Sequence, residues 1–396
     1  MDYAVRAQEL KQYIIEQRHF LHRHAELSYK ETVTTKHIAD ELRSFGIEVM
    51  TFNDYTGCIG IIRGETPGKT VLLRADIDAL PICENSGVDF ESINNGVMHA
   101  CGHDCHAAML LGAARMLQEN RAALNGTVKL LFQAGEEAFY GVRYYWEQGL
   151  VNDVDAAMGM HVWPTVQSGY IAVQDGNLMA SCDNFWLTVH GRSAHGARPH
   201  ESCDAIVAAS SIILGIQTIV SRMTSPLEPL VVTIGSIRSG TQFNIISDTA
   251  VMEGTVRTYN PEIRAKVEQE IRQVMNSAAA MSGCTAELFY DYIEPSVCNR
   301  DIELNDIARA SAVKLFGEDI LRPTPQSMGS EDFSFLMEKI PSSLFVFLGC
   351  YDENSGCIYP VHNEKFRINE DILPVGAAEY AQFAEDYLKS SGGGSL

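Results

Sequence analysis

The chain has 396 residues, 46% of them hydrophobic, and its 51 acidic against 30 basic side chains give a formal charge of −21. That length and apolar content call for more than one domain and a large core. So acidic a surface disfavours nucleic acid and anionic membranes, and an anionic substrate would need a local cationic anchor. The 10 cysteines are scattered through a long chain, a pattern of buried thiols rather than of a disulfide framework. The start, Met1-Asp-Tyr-Ala-Val-Arg, reads as a helix start and not as a signal peptide. With no apolar run of about eighteen residues either, the expected location is a reducing cytoplasm.

Residues 2–45 carry apolar and charged positions at helical spacing. The histidines near Arg18 to Ser28 have no acidic partner at ligand spacing and read as an exposed helix end and turn. Residues 58–63 and 70–74 read as strands around the turn Thr66-Pro67-Gly68. The second leads to Asp76 and Asp78, as a buried strand delivering carboxylates at its end would. Residues 107–119 form an apolar helix, preceded by Met98-His99-Ala100-Cys101-Gly102-His103-Asp104-Cys105-His106. Cys101 and His103 flank a glycine that permits a tight backbone path, so two ligands can converge on one ion. Asp104 alone would suffice as a helix cap, and nothing structural requires the rest.

Residues 127–132 form a second buried strand, running into Gly135-Glu136-Glu137. Adjacent carboxylates repel unless a cation is present. With a divalent ion, one can ligate while the other takes a proton from an activated water. After a helix, residues 156–161 read as a strand ending in His161. Alternating strands and helices imply an α/β domain with a mainly parallel sheet and ligands gathered at one end of the strands. From 183 the rhythm changes to strand 185–189, helix 203–222, strands 230–237 and 249–257, helix 261–281 and strand 286–292. This β-α-β-β-α-β order is ferredoxin-like. The first rhythm resumes with helix 301–315, strand 343–348 and helix 374–388; the glycine-rich segment 390–396 reads as a flexible tail. The expected organisation is a discontinuous first domain, 1–182 and 296–390, with a second domain inserted at 183–295. His362 follows Ile358-Tyr-Pro-Val. A lone histidine is more often a satisfied polar residue than a ligand. Together, Cys101, His103, Glu137, His161 and His362 make a mixed S, N and O donor set. It suits two divalent ions of the zinc, manganese, nickel or cobalt kind better than calcium or magnesium.

The runs His99-Ala-Cys-Gly-His-Asp, Gly135-Glu136-Glu137, Gly159-Met-His161 and Gly191-Arg-Ser-Ala-His195-Gly-Ala-Arg-Pro-His200 resemble the two-metal amidohydrolases. That family includes N-acyl-amino-acid amidohydrolases, hippurate hydrolase and plant auxin-conjugate hydrolases, and is related to aminoacylase. Gly240-Thr-Gln-Phe-Asn244-Ile-Ile-Ser-Asp248, Gly254-Thr-Val-Arg257-Thr and Met328-Gly-Ser-Glu-Asp-Phe333 extend the resemblance along nearly the whole chain. It implies an α/β, mainly parallel-sheet metallopeptidase domain with an inserted ferredoxin-like α+β lid. By position, Cys101, His103, Glu137, His161 and His362 would ligate two divalent ions, zinc or manganese first, nickel or cobalt next. Glu136 would be the general base, His195 would stabilise the oxyanion, and Asn244 and Arg257 would bind the substrate carboxylate and backbone. Asp76 stands where the wider superfamily carries a ligand histidine, which the Cys101/His103 pair would replace. Asp78 would orient a ligand. Ser247 departs from the proline that many relatives carry before the aspartate.

The implied activity is hydrolysis of N-acyl-L-amino acids, with acetyl, benzoyl or similar acyl groups, to a carboxylic acid and a free amino acid. A homodimer or higher homo-oligomer through the lid is implied as well. Two alternatives stay open: a dipeptidase or carboxypeptidase with the same site, and a non-catalytic metal-binding protein. The second has no use for a base such as Glu136 beside the metal.

Overall fold

The computed structural model describes residues 1–390; the remainder of the glycine-rich tail, 391–396, lies outside the described residues. Two compact units emerge from the contacts, one made of Met1–Gly176, Cys298–Pro325 and Asp332 onward, the other of Asn177–Val297 and Gln326–Glu331.

The first unit opens with helices α1 (Tyr3–Glu9), α2 (Lys11–Arg23) and α3 (Thr32–Ser44). Then come strands β1 (Glu48–Thr51), β2 (Cys58–Arg63) and β3 (Thr66–Asp76), helix α4 (His103–Glu119), strand β4 (Asn125–Gln133), helix α5 (Arg143–Glu147), and strands β5 (Ala156–Gln167) and β6 (Ile171–Ala172). Strand Ser343–Tyr351 and helix Leu373–Ser390 return to this unit. The seven-stranded sheet runs β1-β2-β4-β3-β5, then Ser343–Tyr351, then β6. Its four central strands are parallel and its edges antiparallel. Val71, Leu72 and Leu73 of β3 are wholly buried, as expected of strands covered on both faces. Helix α4 is buried along most of its length and packs against α2 and Leu373–Ser390. At Gly112 a side chain would come within 2.8 Å of Ile14, so only glycine allows this close approach.

Three local expectations need correction. Strand β3 begins at Thr66, so the expected turn residues belong to it; Thr66 pairs with Asn125 of β4, and a register shift separates it from the next pair at Lys69. Strand β5 continues past His161 to Gln167. His161 is therefore mid-strand, but the β3–β5 ladder ends at Arg74 and Gly159, which opens that edge of β5 at His161. Helix α4 begins at His103, with Gly102 before it at φ 86°. Asp104 is not its cap. It is buried in the first turn, where Arg18 Nε donates to it at 3.0 Å and His22 Nδ1 lies 2.9 Å away. Arg18 and His22 are thus 3% and 2% exposed, while Arg23, the last residue of α2, is exposed. Their partners come from far along the chain, beyond the reach of local spacing.

The second unit holds a four-stranded antiparallel sheet in the order Leu230–Ser239, Thr249–Thr258, Cys182–His190, Thr285–Glu294. Helices Ala205–Thr218 and Pro261–Met281 complete the ferredoxin-like arrangement. Asp204 and Asn260 cap them by accepting from their first N–H groups. Phe185, Leu187, Val189 and Met252 pack with Ile212, Ile271 and Met275 in one core. Contrary to the sequence expectation, the segment Ala205–Met223 is long and apolar enough to cross a membrane by length and composition. Its Ala208, Ile212 and Ile216 face this core, while Ile206, Val207 and Leu214 are exposed.

The α2–α4 contact has a measurable signature. Burial opposes a charge on His22, but Asp104 and Glu84 outweigh it and lift its pKa to about 9, from 6.5. Such a group stabilises fully below pH 6.5 and loses its contribution as pH rises through 9. Wild type is expected to lose about 2–3 kcal/mol over that interval. Denaturant titrations at both ends should show this slope absent in His22→Gln; parallel behaviour of the two proteins would rule out His22 as the titrating group.

Candidate metal centre

The first unit holds Asp78 beyond the end of β3, Cys101 and His103 at the start of α4, Glu136 and Glu137 beyond the end of β4, His161 within β5, and His362 in the segment after Ser343–Tyr351. The donor atoms of Cys101, His103 and His161 lie within 4.8 Å of one another, as do those of Cys101, Glu137 and His362. The sulfur of Cys101 belongs to both triads. Glu136 stands beside them, with Oε2 at 4.0 Å from His103 Nε2; Glu137 Oε1 lies at the same distance from that nitrogen.

Each imidazole is fixed from behind. His103 Nδ1 lies 3.1 Å from Asp78 Oδ1, and His161 Nδ1 lies 2.6 Å from the carbonyl of Val162. Carboxylate and carbonyl only accept, so both Nδ1 atoms carry a proton, and in the neutral rings both Nε2 atoms present a lone pair. His161 Nε2 is 3.3 Å from Cys101 Sγ. His103 Nε2 is buried with no hydrogen-bond partner, and so is Glu137 Oε1; the latter lies 3.2 Å from His362 Nε2 without hydrogen-bond alignment. His362 has φ 63°, a left-handed conformation rare outside glycine, and its N–H donates to the carbonyl of Ala100. Strained residues of this sort concentrate at functional sites.

The electrostatics fit cations. Burial, then Glu137, Glu136 and Asp76, push the Cys101 thiol well above its ordinary pKa. Burial also opposes a charge on His103, yet Asp76 and Asp78 raise its pKa to about 10. His161 is held well below its usual value by burial and by His106. A buried thiol among carboxylates and an orphaned imidazole nitrogen are what a pair of divalent cations would satisfy.

His106 and Asp76 form a further cluster with His103, but His106 is already engaged. Its Nε2 accepts the N–H of Val162 at 2.9 Å, and its Nδ1 lies 2.5 Å from Asp76 Oδ1. Asp76 also accepts from Arg74 at 2.7 Å. This layer ties β3, α4 and β5 together behind the donors. Sequence reasoning passed over it, although His106 one turn beyond His103 was a usable signal.

His195, Asn244 and Arg257 belong to the second unit. His195 pairs with Ile245 in a two-stranded ladder, and the N–H of Gly196 donates to the carbonyl of Asn244. His195 is exposed, and its Nδ1 accepts the N–H of Ala197 at 3.0 Å. The ring is therefore the Nε2–H tautomer when neutral, a hydrogen-bond donor. Asn244 Oδ1 is buried without a partner. Arg257 lies on the strand Thr249–Thr258, where Nη1 donates to Ser330 Oγ at 3.0 Å.

A mainly parallel sheet whose strand ends hold two donor triads sharing one thiol defines a hydrolase built around two metal ions. Residues 72–386 match the model of peptidase family M20/M25/M40, and the chain belongs to that family. It is 40% identical to N-acetylcysteine deacetylase of Bacillus subtilis, over 95% of this chain and 97% of that protein. It is also 40% identical to thermostable carboxypeptidase 1 of Saccharolobus solfataricus, over 95% of each. Among solved structures it resembles Bacillus subtilis YXEP, described as a dinuclear metal-binding peptidase of the M20 family. The TM-score is 0.86 and the identity 37%, over 96% of this chain and 99% of that one. The protein is a metal-dependent amidohydrolase.

Sharing one sulfur between two triads makes the two sites separable by mutation. Cys101→Ala should lower bound divalent metal from about two per chain to well below one, and His362→Ala to about one. Elemental analysis of purified protein checks this; equal losses in the two variants would mean that Cys101 does not bridge.

Proposed function

We propose that the protein hydrolyses the amide bond of N-acyl-L-amino acids, releasing a carboxylic acid and a free amino acid. The observation that supports this most is the Cys101 thiol common to two donor triads, with Glu136 beside them. Cys101, His103, Glu137, His161 and His362 would hold two divalent ions of the zinc, manganese, nickel or cobalt type. When bound, such ions supply Lewis acidity and lower the pKa of water. Glu136 takes the proton of the attacking water and returns it to the leaving nitrogen. Asp78 keeps His103 in its Nε2-ligating tautomer. The Nε2–H of His195 donates to the developing oxyanion, and Asn244 and Arg257 hold the substrate's backbone and α-carboxylate. In this reading the inserted domain, residues 183–295, acts as the lid that carries these three side chains and excludes water. Its exposed Ile206, Val207 and Leu214, with the edge strand Leu230–Ser239, would serve a homodimer in the cytoplasm.

The carboxypeptidase relative favours a second reading, cleavage of a C-terminal peptide bond by the same groups. A panel of N-acetyl and N-benzoyl amino acids against blocked dipeptides, assayed with added zinc or manganese, separates the two. Activity on peptides alone would replace the first reading by the second.

Glu136→Gln keeps the shape of the side chain but cannot take a proton. It should retain wild-type metal content and lose about 10²–10⁴-fold in kcat. If Glu136→Gln instead loses metal and Glu137→Gln keeps it, the roles within the pair are reversed.

A lysine at 257 supplies charge without the planar fork that pairs with a carboxylate. Arg257→Lys should lower kcat/KM about as much as amidation of the substrate's carboxylate does in wild type. The two changes combined should cost little more than either alone, because both remove one interaction. Fully additive losses would place the carboxylate elsewhere.

A further inference from the structure

The segment Ser28–Glu31, between α2 and α3, does something its sequence does not announce. Glu31 is 0% exposed. Its Oε1 accepts the N–H of Gly135 at 2.9 Å, and its Oε2 accepts the hydroxyl of Thr56 at 2.6 Å. Gly135 is the residue before Glu136 and has φ 71°. The ring of Tyr29 lies so close that a side chain at Gly135 would meet it at 2.3 Å. Tyr29 itself sits at φ 63°, outside the usual range for a bulky residue. Two residues on, the N–H of Glu137 donates to Asp78 Oδ2, which also accepts the hydroxyl of Ser28. The backbone N–H groups one residue before and one residue after Glu136 are thus each held by a buried carboxylate, Gly135 by Glu31 and Glu137 by Asp78.

We propose that Glu31 is a positioning residue, fixing the Gly135 peptide so that the carboxylate of Glu136 is aimed for proton transfer. This rests on Glu136 being the base. Burial pushes the Glu31 carboxyl up to about 7, with Thr56 pulling the other way, and the groups that face it, a backbone N–H and a hydroxyl, are neutral donors. An acceptor oxygen of the right reach is enough. Glutamine offers one, and methionine fills the same space without one.

The test compares Glu31→Met and Glu31→Gln in the metal-loaded full-length protein. Glu31→Met should keep wild-type metal content and KM and lose about 10–100-fold in kcat, the range for groups that orient a catalytic shell. Glu31→Gln should restore kcat to near wild type, which a filler of space would not do. Hydrogen exchange over residues 133–138 should speed up in the methionine variant and not in the glutamine one. If Glu31→Met fails to fold, Glu31→Asp withdraws the acceptor by one methylene and should show the same kcat loss at unchanged KM. Unchanged kcat in Glu31→Met, or a loss that tracks lost metal, overturns the proposal. So does unchanged exchange at Gly135. Should wild type hydrolyse no N-acyl amino acid or peptide, the proposed function fails, and the exchange arm still decides whether Glu31 holds the Gly135 peptide.

Discussion

One sulfur atom sets the terms for the rest of the site. Cys101 Sγ is common to two donor triads and is buried beside Glu137, Glu136 and Asp76. Burial and neighbouring negative charge both oppose a thiolate there. The fold therefore has to hold acidic groups together that repel each other, and it does so from the side away from the donors. Asp78 holds the ring of His103 and the backbone of Glu137, the carbonyl of Val162 holds His161, and the carbonyl of Ala100 holds the backbone of His362. Each contact lies on the far side of a donor and leaves the donor atom itself available. Contacts of this kind orient the donors from outside the donor atoms, which lowers the ordering cost of binding a cation.

The parallel sheet makes that arrangement reachable. Strands β3, β4 and β5 run in one direction, so the residues at and beyond their ends emerge along one edge. Helix α4 begins at the same place with His103, and its left-handed Gly102 lets Cys101 and His103 converge. At Gly102 a side chain would come within 2.4 Å of Val162, so the left-handed turn and the close approach to β5 both require glycine. The His106 layer locks this junction: one imidazole links Asp76 at the end of β3 to the Val162 peptide of β5. Its two nitrogens are both engaged, which is why a histidine so near the centre is not itself a donor.

What the sequence disclosed follows from which interactions are local. Cys101-Gly-His103 and Gly135-Glu136-Glu137 are short motifs whose spacing already implies convergence or repulsion, and the alternating elements imply the sheet. The second unit's helix Pro261–Met281 begins and ends at the expected residues, because a first-turn proline and an asparagine cap are local signals. The end of β5 is not legible locally because His161 interrupts an apolar run, and periodicity cannot see that the strand stays paired with Ser343–Tyr351 from Ala157 to Gln167. His22 reads from the sequence as part of an exposed helix end, and Arg18 and Glu31 carry no local sign of burial, because their partners, Asp104, Glu84 and Gly135, are distant in sequence. Buried polar pairs satisfy each other across the fold, and neither member alone carries a sign of it.

The charge of −21 bears on substrate choice less than it first suggests. At physiological ionic strength, charges more than about 8 Å from a ligand are largely screened. The bulk acidity therefore hardly opposes an anion that has reached a closed site; what counts is the handful of charges within that radius. In the proposed reading Arg257 would meet the need for a local anchor from a regular strand rather than a loop, where its fork keeps a fixed direction. Its guanidinium donates to the neutral hydroxyl of Ser330 and, among the described residues, forms no ion pair, so binding a carboxylate would not require breaking one. A guanidinium already paired with aspartate or glutamate would have to exchange one carboxylate for another, with little gain. Orientation by Ser330 without neutralisation is the condition under which an arginine in so acidic a protein can discriminate in favour of an anionic substrate.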